Sequence, residues 1–282
     1  MRTRIVLALL LASVLSGCVV RVAEQNLIRP RAGELVSAGT LDEGRWVATP
    51  ISVKAADGTT LQGAHFSKSG SVAAVLYFGG NGFVLSEHAE FVLSAYRDTP
   101  VDLIMLDHRG YGANQGATSL EALFEDGVQI YDHVRAANPG MPLLVHGHSI
   151  GSFIAGRVAS ERRLDGLILE STATTTEEWV RRMAGWKRFL VRIRIDQHLQ
   201  GQGNLTVVGR LDEPALFLVG EKDEVTDPEM AEELFVAASV PAADKRLIVV
   251  PGADHMQASH SKQFADGVRW LLARVQKDQA ID

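Results

Sequence analysis

Six runs in this 282-residue chain, "VAAVLYF", "DLIMLD", "PLLVHG", "DGLILES", "ALFLVG" and "RLIVVPG", are apolar almost without interruption. A strand with one face in water alternates polar and apolar residues, so unbroken runs of this length belong to strands covered on both faces. Two earlier runs, "ISVKA" and "LQGAHF", also read as strands and alternate more. Helical patterns fall between the runs, at about 85–98, 120–138, 151–163, 228–239 and 258–276. Strands and helices in alternation predict an α/β fold with a mostly parallel, doubly wound sheet over residues 46–282. A hydrophobic fraction of 46% is enough to fill its core. Residues 172–210 lie between two strands and are expected to form a small helical cap.

In such sheets reactive groups gather at the carboxyl ends of the strands. The first apolar run ends in Gly79-Gly80-Asn81-Gly82 and the second in Asp107-His108-Arg109-Gly110-Tyr111-Gly112. The third leads through Gly147-His148 to Ser149, followed by Ile150-Gly151. Glycines two places to either side of a serine suit a sharp strand-to-helix turn, which alone is common, and they also suit a turn that exposes a nucleophile. The fifth run leads to Glu221-Lys222-Asp223 and the last to Ala253-Asp254-His255. A serine hydroxyl needs a base to take its proton, and a histidine base needs an acid to fix its tautomer. Asp223 competes for the acid with Glu221 and Asp227, the latter placed before Pro228 as a helix N-cap would be. His255 competes with His260, which falls inside the following helical pattern. Asp107 and Arg109 read as a pair holding a turn, and His146 and His148 as packing groups around the turn.

These segments together resemble an α/β hydrolase of the serine-hydrolase type, close to the small-cap group of serine aminopeptidase-like and depalmitoylase-like proteins. The resemblance runs from about Trp46 to the C-terminus and rests on Gly-His-Ser149-Ile-Gly, Gly-Glu-Lys-Asp223, Pro-Gly-Ala-Asp-His255 and Asp-His-Arg-Gly-Tyr-Gly, in that family's Ser, Asp, His order. It implies the α/β-hydrolase fold, Ser149 as nucleophile, His255 as base and Asp223 as its partner, with the N–H groups of Asn81 and Ile150 as an oxyanion hole. Two positions depart from the family pattern: Gly79-Gly80 stands where a His-Gly pair is usual, and Asn114 where a serine is usual. The chemistry so implied uses no metal and no organic cofactor, and no HExxH motif or Cys/His cluster accompanies His146 and His148.

The N-terminus has Arg2 and Arg4, an uncharged apolar run from Ile5 to Leu15, and then Ser16-Gly17-Cys18. That is the layout of a secretory signal, residues 1–17, whose end resembles the lipobox of bacterial lipoproteins. Cys18 is the sole cysteine, so no disulfide explains it and lipid attachment does. Residues 18–45 then read as a lipid-anchored tether, and the expected location is the bacterial cell envelope, outside the cytoplasm, with the periplasmic side of the outer membrane favoured by Val19 after the cysteine. A net charge of −6 argues against nucleic-acid binding. In the cap, Trp179, Met183, Trp186, Leu190 and Ile193 recur at helical spacing among Arg181, Arg182, Lys187, Arg188, Arg192 and Arg194. This predicts a lid helix with a solvated basic face, or one whose basic face also meets anionic lipid. The expected function is a membrane-tethered serine hydrolase of a carboxylic ester or related acyl compound, its substrate a small acyl molecule or a lipid. Alternatives are a peptidase or acyltransferase on the same residues, and a non-catalytic envelope lipoprotein that uses the fold for binding.

Overall fold

The computed structural model describes residues 19–279. The expected signal peptide, residues 1–17, and the expected lipid site, Cys18, lie outside the described residues. Eleven strands form among the described residues: β1 (Val19–Val22), β2 (Gly39–Leu41), β3 (Trp46–Lys54), β4 (Thr60–Ser67), β5 (Ala73–Phe78), β6 (Val101–Leu106), β7 (Leu143–His148), β8 (Gly166–Glu170), β9 (Arg192–Ile195), β10 (Ala215–Gly220) and β11 (Lys245–Val250). Nine of them make one sheet in the order β11-β10-β8-β7-β5-β6-β4-β3-β2. The β2-β3, β3-β4 and β4-β6 pairs are antiparallel, and from β6 to β11 the sheet is parallel.

Every residue of β5, β6, β7, β8 and β10 is buried, as their unbroken apolar character requires. Pleating divides each strand between two cores. Ala74, Leu76 and Phe78 of β5 face one core, filled from helices Leu120–Ala137, Ile150–Glu161 and Pro228–Ala237. Ala73, Val75 and Tyr77 face the other, filled from helices Leu85–Ala95 and Lys262–Gln279. Each fully buried Leu, Val or Phe in such a core contributes about 1.5–3 kcal/mol, and these two layers fix the strand ends against which the loops are built. From β5 the chain crosses to β6 on one side and then returns to place β7 on the other. The carboxyl ends of β5 and β7 thus flank a topological switch, with Phe78 opposite Gly147.

Two expectations need correction. Residues 19–45 are not a free tether: β1 pairs in parallel with β9 of the cap, from Val19 opposite Arg192 to Val22 opposite Ile195. Arg21 adds a bidentate contact to Asp196 at 2.6 and 3.1 Å. Ile28 enters the core, the Arg31 carbonyl and Gly33 N–H pair with Gly112, and β2 joins the main sheet. The physical reason is that this stretch satisfies its backbone groups against the domain and buries apolar side chains as it crosses it. Nor is the cap a single helix. Helix Thr176–Ala184 stops at Gly185, whose φ of 51° lies in the left-handed region that an L side chain avoids. A short turn, Gly185–Phe189, follows, and the remainder becomes β9, where Arg192 and Arg194 alternate with Ile193 and Ile195.

Asp107 and Arg109 do not pair with each other; each ties the loop after β6 to a different element. Arg109 donates through Nε and Nη2 to buried Asp126 at 2.9 and 2.6 Å, and also reaches Asp57. Asp107 Oδ1 accepts the N–H of Leu85, at the start of a helix, at 2.7 Å. Asn114 accepts from Gln62 N–H at 2.9 Å and donates to the Asp107 carbonyl at 2.6 Å, which stitches the same loop to β4. Burial pushes the Asp107 carboxyl up from 3.8 to about 6, with the Leu85 N–H working against the rise. A raised carboxyl binds its proton more tightly in the folded chain, so ionisation costs stability as pH climbs from about 4 to about 6. In urea unfolding, the stability of the wild type relative to Asp107→Asn is expected to fall across that window, by on the order of 2 kcal/mol. A difference that does not change with pH would show that the carboxyl is not raised.

Candidate active site

The loops that leave β5, β7, β10 and β11 meet at one place. Ser149 follows β7 with φ 54° and ψ −121°, a positive φ that a non-glycine residue holds only under constraint. The constraint is packing on either side. A Cβ on Gly151 would stand 2.1 Å from the Phe78 carbonyl oxygen, and one on Gly147 would stand 2.3 Å from that of Gly151. Helix Ile150–Glu161 can lie this close to β5 and β7 only because both positions are bare, and the close approach turns Ser149 outward.

His255 Nε2 lies 3.1 Å from Ser149 Oγ. Its Nδ1 lies 3.0 and 2.9 Å from the two oxygens of Asp223. Asp223 Oδ1 also accepts the N–H groups of Val225 and Thr226, at 2.9 and 2.8 Å, and Oδ2 accepts the Thr226 hydroxyl at 2.8 Å. Burial opposes the charge of Asp223, but the His255 and Thr226 donors outweigh it and hold the carboxyl below the usual carboxylate range. A fixed carboxylate at Nδ1 keeps the proton there and leaves Nε2 as the acceptor facing the serine. Asp227 instead caps helix Pro228–Ala237 by accepting the Glu229 N–H, and His260 contacts the Phe91 carbonyl and Ser94. Glu221 is turned to the Gly252 N–H.

Of the groups that support this line, the sequence singled out His146 and His148 alone. His148 Nε2 donates to the His255 carbonyl at 2.9 Å, and burial lowers the pKa of its imidazole. Ser171 donates to the same carbonyl at 3.3 Å. Beneath them Glu170, fully buried, accepts the Ser259 N–H at 3.0 Å and faces His146. His146 takes a 2.6 Å hydrogen bond with Tyr96. Of these, His146 and His148 were legible as packing groups; Ser171 and Thr226 carry no sequence signal beyond lying near strand ends.

Across the crevice, a Cβ on Gly80 would stand 3.3 Å from that of Ser149, so the loop after β5 lies directly against the elbow. Neither the Asn81 N–H nor the Ile150 N–H donates to another group among the described residues, and both residues line the cavity. The Asn81 side chain is held by the N-terminal segment. Its Oδ1 accepts from the Arg29 N–H at 2.8 Å and from the Tyr111 hydroxyl at 3.0 Å, and its Nδ2 donates to the Leu27 carbonyl at 2.7 Å. Gly79-Gly80 lacks the family's histidine, yet a histidine braces the loop from the next strand: buried His108 donates to the Gly79 carbonyl at 2.9 Å. A cavity of about 470 Å³ opens beside Ser149, walled largely by Leu27, Phe83, Val92, Phe153, Trp179 and Met183. Among the described residues no Asp or Glu lines it, and no group of three His, Cys, Asp or Glu is placed to hold a metal ion.

The likenesses to known proteins agree with this geometry. The sequence pattern of the family described as serine aminopeptidase, S33, matches residues 90–206, a span that takes in Ser149 and the cap. Rv2307c of Mycobacterium tuberculosis is 29% identical over 254 residues, covering 87% of this chain and 86% of that protein. YfhR of Escherichia coli K12 is 27% identical over 225 residues, covering 76% of this chain and 75% of that protein. The Pyrococcus furiosus esterase Pf2001 superposes with a TM-score of 0.67 at 17% identity, over 88% of this chain and 97% of that one. The sheet order, the elbow after β7 and these likenesses converge: the chain has the α/β-hydrolase fold.

Proposed function

We propose that the protein is a serine hydrolase that cleaves a carboxylic ester or a related acyl compound, tethered to a bacterial envelope membrane through Cys18. The observation that carries the catalytic part is the unbroken line from Ser149 Oγ through His255 to Asp223, with hydrogen-bond distances at each step. Ser149 Oγ attacks the substrate carbonyl carbon while His255 Nε2 takes the hydroxyl proton, and Asp223 stabilises the resulting imidazolium. Negative charge moves to the carbonyl oxygen, where the free N–H groups of Asn81 and Ile150 receive it. Collapse breaks the bond to the leaving group, to which His255 returns the proton. Water then attacks the acyl-enzyme, His255 takes a water proton and gives it to Ser149 Oγ as the acid leaves.

The cavity supports an acyl group as the recognised portion. Its volume falls in the range of roughly 300–1,000 Å³ typical of small-molecule sites, and its walls are chiefly aliphatic and aromatic. A free amino terminus would need a carboxylate partner, and no Asp or Glu among the described residues lines the cavity. This favours an ester over an aminoacyl substrate, although the matching family's description names an aminopeptidase.

A fluorophosphonate probe is expected to label the wild type covalently and to leave Ser149→Ala unlabelled; folded wild type that resists the probe would favour the binding-module alternative. Asn81→Ala keeps the backbone N–H but removes the contacts to Leu27, Arg29 and Tyr111 that hold it. It is expected to lower kcat on a short-chain aryl ester roughly tenfold with little change in KM, since a loosened oxyanion donor acts in the transition state. A rise in KM at constant kcat would assign Asn81 to substrate binding instead.

A further inference from the structure

The tip of the cap is unusual in what it shows to water. Trp186, Phe189 and Leu190 are 68%, 77% and 63% exposed, and Val19 and Val20 of β1 are exposed beside the same two-stranded sheet. Large aromatic and aliphatic side chains clustered in this way on a surface mark a contact with an apolar phase or a partner. Lys187, Arg188, Arg192 and Arg194 stand among them, and none pairs with a carboxylate among the described residues. From Met183 to Ile195 the chain contains no acidic residue, although the protein as a whole carries a charge of −6. Arg188 lies over the Phe189 ring, 4.7 Å from its centroid, so charge and apolar surface are presented together.

Geometry says what this surface meets. Val19 pairs opposite Arg192, two positions beyond Leu190. The first described residue, Val19, therefore stands beside the apolar tip. The cavity opens at the same end of the molecule: Met183, which lines it, is 52% exposed and lies three residues before Trp186.

We propose that the cap tip, with β1 beside it, is a seat for the anionic surface of a phospholipid bilayer, and that seating turns the mouth of the Ser149 cavity toward the lipid. The aromatic and aliphatic side chains enter the headgroup boundary while the four cations meet anionic headgroups. An ester carried by a membrane lipid then reaches Ser149 past Met183 without crossing bulk water. The seat stands on exposure, charge and register; delivery of a lipid ester rests on the hydrolase reading above.

The test uses the chain beginning at Val19, which retains both cores, every strand among the described residues and the β1-β9 pairing but carries no residue 18. It is mixed with vesicles of phosphatidylcholine alone or of equal parts phosphatidylcholine and phosphatidylglycerol, and binding is read by co-sedimentation and by the tryptophan emission shift. Binding is expected to be at least about tenfold stronger to the anionic vesicles, to weaken with added salt, and to fall at least about tenfold when Trp186→Ala, Phe189→Ala and Leu190→Ala are combined. The combined variant is expected to hydrolyse a soluble short-chain aryl ester at the wild-type rate. Absence of vesicle binding in the wild type, or equal binding by the variant, overturns the seat. So does a concentration-dependent dimer that the variant abolishes while vesicles are not bound, since the patch then joins two copies of the chain. Vesicle binding without hydrolysis of any ester leaves the seat standing and removes the hydrolase reading.

Discussion

The site depends on how closely one helix can approach one strand. Gly151 brings the start of helix Ile150–Glu161 against the carbonyls of Phe78 and Gly79, and Gly147 lets the preceding strand pass under the same turn. That approach holds Ser149 at its positive φ, leaves the Ile150 N–H at an open helix terminus, and lays Gly80 against the serine. A methyl group at either glycine would intrude on backbone, which moves only if the two central strands of the sheet part. The position of Ser149 is thus a property of the core, and the core is rigid because β5 and β7 are buried along their whole lengths.

Around that fixed point the polar groups are held from behind. His255 is oriented at Nδ1 by Asp223 and at its backbone carbonyl by His148 and Ser171. Asp223 in turn is held by three donors from the Val225-Thr226 turn, which use the lone pairs the imidazole leaves over. Such double restraint removes rotamer freedom before any substrate arrives, so alignment costs little during reaction. The loop after β5 is treated alike, with His108 on the Gly79 carbonyl and the N-terminal segment on the Asn81 side chain.

Much of this was legible in the sequence because it follows from local pattern. Buried parallel strands announce themselves as unbroken apolar runs, and the six strands read that way are all present, as are the two read from more alternating runs. Chain order and strand ends located Ser149, Asp223 and His255, which the structure brings within hydrogen-bond reach of one another. What escaped depends on pairings remote in sequence. β1 is four residues long and finds its partner more than 170 residues away in β9, so no local period could reveal it. The cap read as one helix because Trp179, Met183, Trp186, Leu190 and Ile193 keep helical spacing, whereas Gly185 ends the helix after Ala184. Asp107 and Arg109, two apart in the chain, suggested a mutual pair, yet each found a partner in another element, Leu85 N–H for Asp107 and Asp126 for Arg109.

The N-terminal segment spans the crevice like a strap, fastened to the cap through β1 and Arg21 and to the loop after β5 through Leu27 and Arg29. A cap that swings away from the sheet must either break the four-residue ladder with β1 or drag that strand along with it. In the second case the pull passes down the strap to Asn81. Opening the cavity and loosening the loop that faces the serine are then one coordinate, and by linkage whatever steadies the loop also favours the closed cap. The segment from Val19 to Arg29 thus joins the wall of the cavity and the loop facing the serine through one continuous set of contacts.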